Sequence, residues 1–262
     1  MKNYELVLQQ VEADLAAGRL RLGGRLPGER ALAEQLGISR PSVREAVRVL
    51  EALGVVRTAT GSGPEAGAVI VAEPSAPLTA LLRLHLATSH LPMHDIVQTR
   101  VLLESWSARE AAALFAGSSS SAGRGDRSLG AGAGQDAVPG AGEELAAKLG
   151  EAEQLLERMD GEGLSPEEFH LLDAEFHVAL AGLAGNVLIA AVMGSLRSAI
   201  HGYVLAAVPN LPDWDATAIG LRTEHHAIVA AIRDGRGDDA ARLVTEHIEG
   251  FYRAARLSSP TW

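Results

Sequence analysis

Asp173 and His177 stand four residues apart in the run Asp-Ala-Glu-Phe-His. On a helix this spacing puts both side chains on one face, about 40° apart around the axis. His225 opens the run His-His-Ala-Ile-Val-Ala-Ala-Ile, and His247 sits in Leu-Val-Thr-Glu-His-Ile-Glu. Gly235 and Gly237 turn the chain between these two runs, so two helices can pack antiparallel with His225 and His247 at a similar height. One carboxylate and three imidazoles around a common point suit a borderline divalent ion such as Zn, Ni, Mn or Fe. Against this reading, a single helical histidine is more often a surface or packed core residue, and an Asp–His pair alone is a weak motif. The chain also offers His85, His90, His94, His170, His201 and His226.

A second chemistry lies near the N-terminus. Ser39 is a good N-cap for a helix from about 40 to 53, with Pro41 tolerated in its first turn. That turn offers Ser39, Arg40, Ser42 and Arg44. An arginine fork can bond guanine O6 and N7 together, and serine hydroxyls can reach phosphates or bases. A shorter helix, Glu29 to Leu36, precedes it and is closed by Gly37. A first helix is expected over 4–17, where Leu6, Val7, Val11 and Leu15 recur at helical spacing. Val55–Thr58 and Ala68–Val71 read as two short strands joined by a Gly-rich turn. Three helices and a hairpin make a winged helix-turn-helix, a DNA-reading unit whose last helix enters the major groove.

Beyond Pro74 and Pro77 the periodicity predicts only helices, over about 78–89, 94–116, 143–160, 165–184, 186–208, 216–234 and 238–256. The fold class is therefore mainly α, with an all-α bundle behind the N-terminal domain. Residues 1–73 form the expected DNA-binding domain, 74–77 a linker and 78–258 the bundle. Residues 117–142, rich in Gly, Ser and Ala, bury almost nothing and read as a flexible insertion.

Charge supports this division. The net charge is −10, yet residues 1–72 hold nine Lys/Arg against eight Asp/Glu, leaving 14 basic and 25 acidic residues for the remainder. An acidic body discourages nonspecific DNA contact while a locally basic face still permits binding. The absence of cysteine excludes disulfides and thiolate metal sites. No basic-then-apolar leader opens the sequence, and no uncharged apolar run reaches the roughly 18 residues of a membrane helix, so a cytoplasmic protein without a membrane partner is expected.

The run from Leu26 to Val56 resembles the signature of the GntR family of bacterial regulators. It carries Leu-Pro-Gly-Glu-Arg-Ala-Leu-Ala, then Ser-Arg-Pro-Ser-Val-Arg-Glu-Ala, then Leu-Glu-Ala-Leu-Gly-Val-Val. The resemblance implies that Arg30, Arg40 and Arg44 contact DNA with Ser39 and Ser42 assisting, and that the wing tip at Gly61 and Gly63 approaches the minor groove. The wing departs from the family pattern, being longer and without a basic residue. The C-terminal pattern Asp173-x-x-x-His177, Gly185-Asn186, Glu224-His225 and His247 resembles the FCD ligand-binding domain of the FadR-type branch, and Arg100 to Glu104 matches as well. This second resemblance implies a divalent metal held by Asp173, His177, His225 and His247.

A small carboxylate effector could chelate such a metal and pair with Arg100, whose alternative partner is Glu104, four residues on. Asn186 is a further effector-contact candidate, with helix capping as its simpler role. The expected function is a homodimeric transcriptional regulator, a repressor by the family's usual mode, that binds a double-stranded operator under control of an organic acid. The rival readings are a constitutive DNA-binding protein with a purely structural metal, and a metal-dependent hydrolase. The fused DNA-binding domain argues against an enzyme.

Overall fold

The computed structural model describes residues 3–59, 67–88, 90–122 and 141–257. The chain divides into two compact units, Met1–Ala80 and Leu81–Trp262.

In the first unit, helix α1 (Asn3–Ala16) precedes α2 (Glu29–Leu36) and α3 (Arg40–Ala52). Gly37 ends α2 in the left-handed region, and Ser39 starts α3 by accepting the Ser42 amide at its side chain. Strands β1 (Val56–Ala59) and β2 (Gly67–Ile70) pair antiparallel with Val56 opposite Ile70 and Thr58 opposite Ala68. The other edge of β2 is met by residues 23–26, where the Gly23 and Leu26 amides donate to the Ile70 and Ala68 carbonyls. Val7, Val11, Leu32, Val43, Ala46, Leu50, Val56 and Ile70 form the core. Gly54 joins α3 to β1 at φ 69°, and a Cβ there would collide with the Glu73 carbonyl oxygen, so only glycine fits this turn.

Helix α4 (Ser75–Ala87) begins where a linker is expected. Residues 75–77 form its first turn, because a proline three residues into a helix lacks only an amide that has no intrahelical partner there. The second unit then continues with α5 (Met93–Ala122), α6 (Ala141–Met159), α7 (Pro166–Leu183), α8 (Val187–Ala207), α9 (Trp214–Arg233) and α10 (Gly237–Ala254). Helix α5 runs past the expected stop at 116 into the serine-rich segment, where the Ser118 hydroxyl donates back to the Phe115 carbonyl. Of the remainder of the expected insertion, 123–140 lies outside the described residues, and 141–142 open helix α6.

Helix α5 packs along α10, α7 and α9, and α7 is sandwiched by α6 and α8. Phe169, Phe176, Met193, Ile200, Ile228, Ile232, Ile248 and Tyr252 fill the centre. The hairpin between α9 and α10 passes so close to α5 that a Cβ on Gly235 would meet the Ala116 methyl at 2.9 Å. The stretch Val187–Asn210 is long and apolar enough to cross a membrane by length and composition. Its one charge, Arg197, is buried and ion-paired to Asp173, which is the arrangement of a helix lining a protein core.

Candidate metal centre and DNA-reading helix

Three helices supply the candidate donors of one buried polar cluster, and two more surround it. Helix α7 starts cleanly: Ser165 and Glu168 form a reciprocal capping box with Pro166 in the first turn. One and a half turns on, the inward face of α7 presents Asp173 and His177. Helices α9 and α10 run antiparallel about their short turn and bring in His225 and His247.

His177 Nε2 lies 3.1 Å from His247 Nε2, and His225 Nε2 lies 3.3 Å from the same atom. Asp173 Oδ1 is 3.1 Å from His225 Nε2 and 3.4 Å from His177 Nε2. All four donor atoms fall within 4.8 Å of one another, and all four residues are buried. Donors held about 2.0–2.2 Å from one ion stand roughly 3 Å apart, so this spacing fits a single divalent cation. Three imidazole nitrogens and one carboxylate oxygen also match the donor preference of such an ion.

Charges surround the cluster in layers. Arg197 on α8 is 7% exposed and pairs with Asp173 Oδ2. Glu104 on α5 is 5% exposed, and its Oε2 lies 2.5 Å from His177 Nδ1. Arg100 donates from Nε to Glu104 Oε1 at 2.7 Å and from Nη1 to the Tyr252 hydroxyl at 2.9 Å. Glu224 Oε2 lies 2.7 Å from His247 Nδ1.

Burial opposes the Asp173 charge, but Arg197 and His177 hold this carboxyl well below the usual range. Glu104 is held down likewise, chiefly by Arg100 and His177 against its burial. Burial and the neighbouring His247 push His225 down to about 3, and burial pushes His170 down to about 4.

Beside the donor set is a cavity of about 20 Å³, room for roughly one water. The donors Asp173 and His247 line it with Arg100, Arg197, His170, His201 and Tyr252, and Ile200, Val204, Leu221 and Phe251 are among its apolar walls. His170 Nε2 is buried without a hydrogen-bond partner among the described residues. Arg100 thus reaches the cavity while making the ion pair with Glu104 that its spacing allows. Asn186 does not line the cavity: it is exposed and caps α8, its Oδ1 accepting the Ile189 amide at 3.1 Å. Sequence reasoning passed over Arg197, although a lone charge in the apolar run of α8 signals a buried ion pair.

In the first unit, Arg30, Arg40 and Arg44 all face solvent. Glu29 accepts both Arg44 Nε at 3.2 Å and Arg44 Nη2 at 2.9 Å, while Arg40 stands 3.8 Å away. Arg30 lies 3.8 Å from Glu34. Ser39 and Ser42 share a 2.9 Å hydroxyl contact at the start of α3. Gly61 and Gly63 lie outside the described residues.

The shifted histidines dictate a pH dependence. Both titrate near 6.5 when unfolded but far lower when folded. Unfolding therefore takes up protons below about pH 6.5, and folded-state stability must fall as pH drops from 6.5 towards 4. The melting temperature of metal-free protein is expected to fall by more than about 10 °C between pH 7 and pH 4. Calorimetry that finds it unchanged or higher at pH 4 contradicts the assignment of neutral buried imidazoles.

Residues 3–65 match the bacterial regulatory proteins of the gntR family, and residues 127–250 match the FCD domain. The FCD match includes all four candidate donors and Arg197, but begins beyond Arg100 and Glu104. The chain is 27% identical over 244 residues to the Glc operon transcriptional activator of Escherichia coli strain K12, covering 93% of this chain and 85% of that protein. It is 27% identical over 270 residues to the HTH-type transcriptional repressor NanR of Klebsiella aerogenes, covering 100% of this chain and 85% of that one. Among solved structures, Streptococcus agalactiae GntR shares the fold with a TM-score of 0.53 at 21% identity, over 96% of this chain and 98% of that chain. These relatives are regulators and not enzymes. The chain belongs to the GntR family of bacterial regulatory proteins, with an FCD domain behind its helix-turn-helix DNA-binding domain.

Proposed function

We propose that this DNA-binding regulator holds a divalent metal in its helical domain and responds there to a small organic acid. The convergence of three buried Nε2 atoms and one Asp173 oxygen carries the metal half of the reading. Asp173, His177, His225 and His247 would hold the ion, which as a Lewis acid supplies attraction for an anionic oxygen. Zn, Ni, Mn and Fe all suit that donor set.

The cavity beside the donors carries the effector half. Arg197 and Arg100 line it, and both are cations suited to a carboxylate. At about 20 Å³ the cavity admits an acid only when Arg197 exchanges Asp173 for the ligand. That exchange would bias the position of α8. A ligand shifts an equilibrium only through such differential contacts.

On DNA, Arg30, Arg40 and Arg44 are proposed to contact the duplex with Ser39 and Ser42 at the head of α3, and Gly61 and Gly63 are proposed for the wing tip. Glu29 restrains the Arg44 fork in the free protein. Two such units in a homodimer would read half-sites about one helical turn apart. Exposed Leu102 and Trp106, one turn apart on α5, support a face for the second copy. Repression is the simpler mode, because a bound dimer blocks a promoter without a further contact to polymerase. The proposed place of work is the cytoplasm, where a bacterial operator is found.

Three measurements check this reading. Against a duplex selected from random sequence by the wild-type protein, Arg44→Ala is expected to weaken binding by about 10-fold or more while leaving the melting temperature unchanged. Retained wild-type affinity in a gel shift contradicts the assignment. Metal analysis of purified protein is expected to find about one ion per chain, lost on His225→Ala with His247→Ala. With the ion present, a screen of small carboxylic acids should raise the melting temperature for at least one of them. A double variant that keeps its metal refutes the donor set.

A further inference from the structure

Two of the three candidate histidine ligands have a carboxylate at their backs, and each carboxylate comes from a different helix than its histidine. Glu104 on α5 places Oε2 2.5 Å from Nδ1 of His177 on α7. Glu224 on α9 places Oε2 2.7 Å from Nδ1 of His247 on α10. His177 Nδ1 meets Glu104 Oε2 at ion-pair distance without a well-formed hydrogen bond, and His225 Nδ1 is likewise buried with no hydrogen-bond partner among the described residues.

An ionised carboxylate can only accept, so the ring nitrogen it touches must carry the proton. A neutral imidazole has a single N–H. Placing that proton on Nδ1 leaves the lone pair on Nε2, and it is the Nε2 atoms of His177 and His247 that meet at 3.1 Å in the donor set. The carboxylates therefore select the tautomer that a metal needs and fix the ring planes before any ion arrives.

We propose that Glu104 and Glu224 are positioning residues of the metal centre. They lock His177 and His247 as Nε2 ligands, and Arg100 acts on the centre through Glu104. The proposal rests on the metal reading above and adds residues outside its donor set.

The two carboxylates are anchored differently. Glu104 spans two partners, giving Oε1 to Arg100 and Oε2 to His177, and Arg100 is in turn braced on the Tyr252 hydroxyl. The chain Tyr252–Arg100–Glu104–His177 ties α10 and α5 to α7 without touching the donor atoms. The buried Glu104 carboxylate takes the Arg100 Nε–H at Oε1, which leaves Oε2 turned to His177. Glu224 has a side chain half exposed to solvent, so its replacement leaves the interior packing intact. It is also the sequence neighbour of His225, so one turn of α9 supplies both a ligand and the support for a ligand on α10.

The test is metal affinity of the full chain, stripped and then titrated with zinc or nickel against a chromogenic chelator. Glu224→Ala is expected to weaken binding about 10-fold, and Glu104→Gln by about 10- to 100-fold. Glu246→Ala removes an exposed charge elsewhere on α10 and is expected to leave affinity within twofold. Long-range proton–nitrogen spectra of the metal-free protein should show His247 protonated on Nδ1 in wild type and lose that preference in Glu224→Ala. A purely structural role would not move that tautomer signature while the melting temperature of metal-free Glu224→Ala stays within a few degrees of wild type. If Glu104→Gln does not fold, Glu224→Ala decides. Wild-type affinity in Glu224→Ala, or an unchanged His247 tautomer, overturns the proposal while leaving the donor set standing. A wild-type chain that takes up neither metal overturns both.

Discussion

The helical domain depends on how it compensates charge in its interior. Two guanidinium groups, two carboxylates and four histidines sit at or near zero exposure among aliphatic and aromatic side chains. An unpaired charge there costs several kcal/mol, so each member persists only because another answers it. Arg197 answers Asp173, Arg100 answers Glu104, and Glu104 and Asp173 together frame His177. What the pairs leave over is a knot of imidazole nitrogens facing one another at about hydrogen-bond distance. With Nδ1 of His177 and His247 protonated towards their carboxylates, the Nε2 lone pairs of those two rings face each other, and the proposed cation would remove that conflict. The helices that supply the donors are held in register by aromatic contacts such as Phe176 against His225, 4.7 Å between ring centres.

The N-terminal domain follows the opposite logic. Its core is apolar, and among the described residues none of its charged side chains is buried. Exposed ion pairs contribute little to stability, so the Glu29–Arg44 fork is better understood as orienting a side chain than as holding the fold. Releasing Arg44 to a base edge or a phosphate costs little for the same reason. Rigidity comes instead from Gly54 wedged against the Glu73 carbonyl and from the strand register that carries the wing.

Much of this was legible from residue order. The spacing of Asp173 and His177, the glycine turn between α9 and α10 and the serine cap of α3 each have a local mechanism: Asp173 and His177 share the inward face of α7, Gly235 turns the chain at φ 71°, and Ser39 accepts the Ser42 amide. Less legible were features that depend on distant partners. Nothing local marks Glu104 as the support of a histidine 73 residues away, because that contact exists only once α5 packs on α7. Capping is the simpler role for Asn186, and its side chain makes that cap at the start of α8. Helix α5 ran on through serines whose composition alone suggests a loop, since extending an existing helix costs far less than nucleating one. Pro74 and Pro77 suggested a linker, but a proline in a first turn is also a helix start, and composition does not separate the two.

X-ray absorption at the metal edge of zinc- or nickel-loaded protein tests the central claim most directly. Three imidazole nitrogens and a carboxylate oxygen give a first shell at about 2.0–2.2 Å with the outer-shell scattering of three rings. That spectrum is the predicted result. A shell of oxygens alone, without histidine ring scattering, would show the ion bound elsewhere and contradict the account.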